Sequence, residues 1–91
     1  MAPEARHDLE SLGAYDRARV KDSIEKHLRH TPTKVTKSRI KKLRGLRHPQ
    51  YRLRVDDVRI FYDVEDAVVQ ILAIIPKPKT AQWLKEVGEE I

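Results

Sequence analysis

The sequence predicts an α+β fold, with an N-terminal helical hairpin packed on a small antiparallel β-sheet and a short C-terminal helix. Three observations support this prediction. Helix-period apolar patterns precede His30, apolar and basic residues alternate from Tyr51 to Tyr62, and an almost unbroken apolar stretch follows from Val68 to Ile75. The 91 residues provide a single modest core, so we expect residues 1–91 to form one domain.

Two helices are predicted in the first third of the chain. Proline in the first turn and an apolar stripe ending at Leu12 predict a helix over Pro3–Leu12, which Gly13 ends. Asp16 is then expected to cap a second helix that continues to about His30. Together the two helices predict an antiparallel hairpin.

The next segment is strongly basic. We expect a loop or a short irregular stretch over Lys34–Arg47, with a turn at Gly45. A basic block extends from Lys34 to Arg59 and is interrupted only by Asp56 and Asp57. With a net charge of +5 for the whole chain, this block favours a polyanion such as nucleic acid, and an acidic protein partner is an equal alternative.

A β-hairpin is predicted from Tyr51 to Tyr62, with a two-residue turn at Asp56-Asp57. This pairing places Val55 opposite Val58. One face is apolar and predicts a core, whereas the other face carries arginines that would need an anionic partner if buried. The simpler alternative is a solvated strand face. The three arginines are Arg52, Arg54 and Arg59, and Arg54 is expected to lie diagonally near Arg59.

The apolar run Val68–Ile75 predicts a strand buried on both faces near the centre of the sheet. Pro76 and Pro78 end this strand and hold the intervening lysines in an extended segment. Thr80 is then expected to cap a short helix. The side chains expected to point inward from this helix are Trp83, Leu84 and Val87.

Composition excludes several classes of protein. The chain has no cysteine, which excludes disulfides and thiolate zinc sites, and its four histidines share no metal-ligand spacing. We therefore predict no metal and no cofactor. No stretch is long and apolar enough to span a bilayer, and no apolar signal run is present at the N-terminus, so we expect no membrane partner and a cytoplasmic location.

An ordered set of motifs resembles the RelE/ParE superfamily of toxins from type II toxin–antitoxin systems. The motifs are the Pro3–Leu9 opening, Leu43-Arg44-Gly45-Leu46, Tyr51-Arg-Leu-Arg-Val and Val58-Arg-Ile-Phe-Tyr, followed by the apolar strand. The resemblance implies a toxin that inhibits growth until a cognate antitoxin binds it, in a toxin–antitoxin hetero-oligomer. RelE-like members are endoribonucleases that cut mRNA, typically on the ribosome, whereas ParE-like members share the fold and inhibit DNA gyrase.

The resemblance also implies roles for particular residues. Carried over by position, the catalytic basic residues of RelE-like members fall on Arg52, Arg54 and Arg59, with Lys77 as a further basic residue that could serve as acid or base. In metal-independent RNA cleavage, guanidiniums would stabilise the charged phosphorane formed when the 2′-hydroxyl attacks the phosphate. The expected RNA-binding residues are Lys41, Lys42, Arg44, Lys79 and Trp83.

The sequence departs from the superfamily pattern in two places. The family often has a His-Arg or Lys-Arg element followed by tyrosine near the C-terminus, where this chain has Lys77-Pro-Lys and then Trp83, whose indole could stack on a base but cannot exchange a proton. Family members usually open with a β-strand, whereas this chain begins almost at the first helix. Either the start codon is placed too late or the sheet lacks an edge strand, and in the second case we expect an unpaired edge that invites pairing with another chain. Among the histidines, His48 beside the basic segment is the one expected to serve as an acid–base group.

The resemblance therefore predicts a RelE-like mRNA endoribonuclease that acts at the ribosome, with mRNA, ribosomal RNA and an antitoxin as partners. Two alternatives are a ParE-like inhibitor of DNA gyrase and a catalytically degenerate homologue that only binds its antitoxin.

Overall fold

Four strands form one antiparallel sheet, and the computed structural model describes all of residues 1–91. The order across the sheet is β1-β3-β4-β5. A separate pair of short strands, β2 and β6, lies beside it. The bounds are β1 Ile40–Lys42, β2 Leu46–His48, β3 Tyr51–Val55, β4 Val58–Glu65, β5 Val68–Pro76 and β6 Glu89–Glu90.

The helices agree with the predicted α+β class. They are α1 (Pro3–Ser11), α2 (Ala14–Ser23), which continues into a π-helical turn (Ile24–Leu28), and α3 (Thr80–Val87), which follows a 3₁₀ turn. None of these helices has the length and the hydrophobicity that crossing a membrane requires.

The two predicted side-chain caps do not form. Residue Gly13, not Asp16, precedes the first turn of α2, and no side chain caps that turn. Thr80 is the first residue of α3, and its hydroxyl donates to the carbonyl of Lys77 at 2.9 Å. The predicted helices therefore form without these caps.

The hairpin forms with the predicted turn. Val55 pairs with Val58, and Asp56 adopts a left-handed conformation (φ 51°), which aspartate tolerates because its short side chain can bond the local backbone. Arg54 lies directly opposite Arg59 in the register, so the expected diagonal relation was wrong. The consequence is that two guanidiniums originate from neighbouring positions on one face.

The core lies between one face of the sheet and the helices. Leu53, Ile60 and Tyr62 are fully buried there, against Ala5 and Val20 of α1 and α2. The stacked rings of Tyr51 and Tyr62, with centroids 5.5 Å apart, extend this packing along the hairpin. We call the opposite face of the sheet the outer face.

A strand at Ile40–Lys42 replaces part of the predicted loop. Ile40 is 3% exposed and pairs with Leu53, so one buried side chain and the backbone pairing fix this short strand.

Strand β5 lies at an edge of the sheet and not at its centre, which corrects the interpretation of the apolar run. Four of its side chains are nevertheless buried because α1 packs beside the strand and α3 covers part of its outer face, whereas Val68 at its start is exposed. The buried four are Ile71, Ala73, Ile74 and Ile75. At the edge, the carboxylate of Asp8 accepts the N–H of Ile74 at 3.0 Å, and the N–H of Ala2 donates to the carbonyl of Ile71 at 2.8 Å. The N-terminal segment thus forms hydrogen bonds with part of the sheet edge that was expected to be unpaired.

Candidate functional site

The outer face of the sheet carries a cluster of cations, which we call the basic half. It consists of Lys41 on β1, Arg52 and Arg54 on β3, and Arg59 on β4. Lys41 pairs with Arg52 and Arg54 pairs with Arg59, so the four side chains start from neighbouring positions on one face. None of the four takes part in an ion pair within the chain. Like charges concentrated in this way need an external anion to balance them.

The three arginines differ in their surroundings. The Arg54 side chain is exposed, Arg52 is partly buried, and Arg59 is only 6% exposed. Arg59 donates to the carbonyls of Asp56 at 2.8 Å and Val58 at 3.1 Å, which holds its guanidinium against the hairpin turn. Arg59 is therefore engaged by the protein's own backbone, whereas Arg54 is free to meet a partner.

Burial and mutual repulsion act on the two less exposed guanidiniums. Burial, and then the charge of Arg54, lowers the pKa of Arg52. Burial also lowers the pKa of Arg59, assisted by the charges of Arg52 and Arg54 and opposed by Asp57. The buried Nε of Arg52 has no hydrogen-bond partner. An anion that bound to the exposed cations here would relieve the repulsion.

The other part of the outer face is apolar, and we call it the apolar half. It consists of Phe61 on β4 with Ala73 and Ile75 on β5, all buried. Helix α3 covers it, and the ring of Trp83 stacks on Phe61 with centroids 4.9 Å apart and an interplanar angle of 23°. The protein's own helix thus occupies this part of the face.

A comparison with protein-family models assigns the chain. A model described as "ParE toxin of type II toxin-antitoxin system, parDE" matches residues 1–78. The chain belongs to the ParE toxin family. The predicted membership of the RelE/ParE superfamily is confirmed, and the family implies a cognate antitoxin as partner. Comparisons with curated proteins and with solved structures found no match.

In this ParE-family toxin, the remaining predicted site residues are spread over the surface. Lys42 pairs with Tyr51, one of the core-side residues, which places it on the opposite face from Lys41. Arg44 is exposed beside Gly45, whose φ of 75° makes the turn. Lys79 lines a groove between α1 and α3. The structure therefore brings Lys41 together with the three arginines and leaves these other cations apart.

Lys77 and Trp83 have distinct positions. The backbone N–H of Lys77 donates to the carbonyl of Asp57 at 2.7 Å, which places Lys77 at the end of the hairpin where Arg54 and Arg59 pair. Its side chain is exposed. Trp83 is partly buried against Phe61, so its ring stabilises the contact between α3 and the sheet.

Sequence reasoning singled out His48 but not its partner. The Nδ1 atom of His48 lies 2.6 Å from Asp63 Oδ2, and the other carboxylate oxygen accepts the N–H of Gln50 at 2.8 Å. This contact orients the imidazole and leaves Nε2 for other partners. Asp63 follows Phe61 at the next outward position of β4, and this alternation was the sequence signal that could have placed its carboxylate on the outer face. It lies four residues from Arg59, roughly 13 Å along the strand, so the imidazole is well separated from the end of the basic half where Arg54 and Arg59 pair.

No group of three or more His, Cys, Asp or Glu side chains is arranged to hold a metal ion. The guanidinium and ammonium groups of the basic half can bind anions and stabilise negative charge.

Proposed function

We propose that this toxin inhibits DNA gyrase by binding it, and that the basic half of the outer face supplies the contact. The observation that carries the proposal is the family match over residues 1–78, which includes every residue of the basic half. ParE-like members of the superfamily act on gyrase, and the family model that matches is that of ParE toxins.

The geometry of the basic half supports binding more than cleavage. Cleavage of RNA requires groups that take a proton from the 2′-hydroxyl and return one to the leaving oxygen. Guanidiniums remain protonated, Arg59 is held by two backbone carbonyls, and the oriented imidazole of His48 lies at the other end of β4. Binding an anionic surface requires only accessible cations.

Arg54 and Arg52 would provide most of the binding. The exposed guanidinium of Arg54 can form paired hydrogen bonds with a carboxylate or a phosphate, and the partly buried Arg52 adds a second positive charge two residues away on the same strand. Electrostatic attraction would also accelerate association with an acidic surface or with DNA held by gyrase.

A second candidate function is cleavage of mRNA at the ribosome, as the RelE-like resemblance predicts. It is favoured by the convergence of Arg52, Arg54 and Arg59 on one face and by the position of Lys77 at the same end of the hairpin. In this mechanism the arginines would stabilise the phosphorane, and Lys77 would be the acid or base.

The two functions can be separated by one paired experiment. The purified toxin is added to purified gyrase with supercoiled plasmid, and in parallel the toxin is induced in cells and the 5′ ends of mRNA are mapped. We expect inhibited supercoiling or trapped gyrase cleavage complexes, with no new mRNA ends. New mRNA ends with unaffected gyrase would replace the proposal by the second candidate, and no effect in either assay would also overturn it.

A matched pair of variants locates the contact. Arg54→Ala should weaken gyrase inhibition about tenfold, since a charge-assisted pair contributes on the order of 1.4 kcal/mol or more. Arg6→Ala removes the same charge from an exposed position on α1 and should leave inhibition unchanged. Equal inhibition by both variants would exclude Arg54 from the binding surface. Because both side chains are exposed, their unfolding free energies should stay within about 0.5 kcal/mol of the unmodified protein.

A further inference from the structure

A polar pocket lies on the helix side of the basic half, and we call it the helix-side pocket. It has a volume of about 500 Å³. Its walls come from α2 and the following π-helical turn, from the segment before β1, and from the end of β3. The lining that concerns binding comprises Ser23, Lys26, His27, Ser38, Arg39 and Arg54.

The charges that line the pocket do not balance. Arg19 binds both carboxylate oxygens of Asp56, at 3.0 and 3.2 Å, so this acid is already paired. Asp22 is the one other carboxylate in the lining, and it faces three further cations. None of these three forms an ion pair within the chain. They are Lys26, Arg39 and Arg54.

We propose that the helix-side pocket binds a phosphate group of a nucleotide or a nucleic acid. The guanidinium of Arg39 and the ammonium of Lys26, neither of which is in an ion pair, can hold a tetrahedral anion between them, and the guanidinium fork matches two phosphate oxygens at once. The hydroxyls of Ser23 and Ser38 provide further donors in the lining. A carboxylate would leave part of this donor set unused, which favours phosphate.

His27 responds to the charges that line the pocket. Burial, followed by the charges of Arg39 and Lys26, lowers the pKa of His27, and Asp22 opposes this shift. The imidazole is therefore disposed to be neutral at pH 7. A bound phosphate would offset the two cations and raise the pKa of His27, so the ring is a built-in reporter of occupancy.

The inference goes beyond the proposed function. Apart from Arg54, the phosphate-binding residues lie on α2, on its π-helical turn or before β1, and none of them is needed for gyrase binding by the outer face. If the toxin does not inhibit gyrase, the phosphate proposal is unaffected. If the pocket does not bind phosphate, the gyrase proposal is unaffected.

The test is an NMR titration of the full chain that follows the His27 ring signals. The probes are inorganic phosphate, a 5′-phosphorylated dinucleotide and the same dinucleotide with a 5′-hydroxyl. We expect a saturable shift of the His27 signals towards the protonated form with phosphate. A linear, non-saturating shift would overturn the proposal.

The dinucleotides distinguish the source of the phosphate. Stronger binding of the 5′-phosphorylated dinucleotide than of its 5′-hydroxyl form indicates a terminal phosphate. Equal binding of both indicates a backbone phosphodiester. Either outcome supports the phosphate site, and no saturable response to any of the three probes overturns it.

Two charge-matched variants complete the test. Lys26→Ala removes a cation of the pocket, and Lys21→Ala removes one from the exposed surface of α2 outside it. We expect about tenfold weaker phosphate binding in Lys26→Ala and little change in Lys21→Ala. Both side chains are exposed, so both variants should fold. The same loss in both would show that phosphate senses only the net charge, which would overturn the proposal.

Discussion

The basic half and the apolar half of the outer face meet on the central strand β4, yet their surroundings differ. The apolar half is covered by α3, and Phe61 is 1% exposed beneath Trp83. The basic half has no covering helix, and Arg54 projects into solvent. Burial of apolar area stabilises the folded state, whereas removal of a cation from water costs free energy unless an anion is paired with it. The difference teaches that the fold completes its own apolar surface and leaves the exposed guanidinium of Arg54 for another molecule.

The largest expected effect comes from removing the centre of the apolar half. Phe61→Ala deletes a buried ring and its stack with Trp83, so we expect the free energy of unfolding to fall by about 3–5 kcal/mol. Urea denaturation measures the change. Tyr15→Ala is the control, because Tyr15 is 72% exposed and its removal should change stability by about 0.5 kcal/mol or less. A comparable loss in both variants would contradict a packed contact between α3 and the sheet.

A smaller effect is expected within the basic half. Arg59→Ala removes the donor to two backbone carbonyls and should lower the unfolding free energy by about 1–2 kcal/mol, since relief of repulsion offsets part of the loss. Arg54→Ala should change it by about 0.5 kcal/mol or less because Arg54 is exposed. Chemical denaturation measures the unfolding free energy of both variants. Equal stabilities would mean that Arg59 has no structural role.

The smallest expected effect is a response to salt. Burial, and then repulsion within the basic half, lowers the pKa of both Arg52 and Arg59. Because added salt screens the repulsion, it should stabilise the folded chain by a few tenths of a kcal/mol. Thermal unfolding at low and moderate ionic strength measures this gain. Arg54→Ala should show a smaller gain than the unmodified protein. An identical salt response in both proteins would show that repulsion within the basic half does not affect stability.

Part of this arrangement was predictable from the sequence. Strict alternation around the Asp56-Asp57 turn specified the hairpin and placed Arg52, Arg54 and Arg59 on one face, because successive strand residues point to opposite sides. The inward placement of Trp83 and the outward placement of Phe61 were also specified by periodicity. Given these placements, the two rings stack once α3 packs on the outer face.

Other parts depended on contacts between distant segments. The short strand β1 contains one apolar residue, Ile40, so periodicity could not reveal its pairing with Leu53. Alternation likewise cannot tell that Arg59 is buried while Arg54 is exposed, because two carbonyls at the turn decide this difference. Lys26 and Arg39 meet in one pocket only after α2 has packed beside the sheet. Such placements follow from tertiary packing and not from local propensity.

The carboxylate of Asp8 on the edge of β5 has a consequence for the free toxin. By accepting the Ile74 N–H, it occupies a donor that an incoming strand would otherwise use, and at the opposite edge β1 is only three residues long and carries two lysines. Both borders of the sheet are thus poor templates for further strand addition. A freshly synthesised chain can therefore remain dispersed instead of aggregating through its own β-edges.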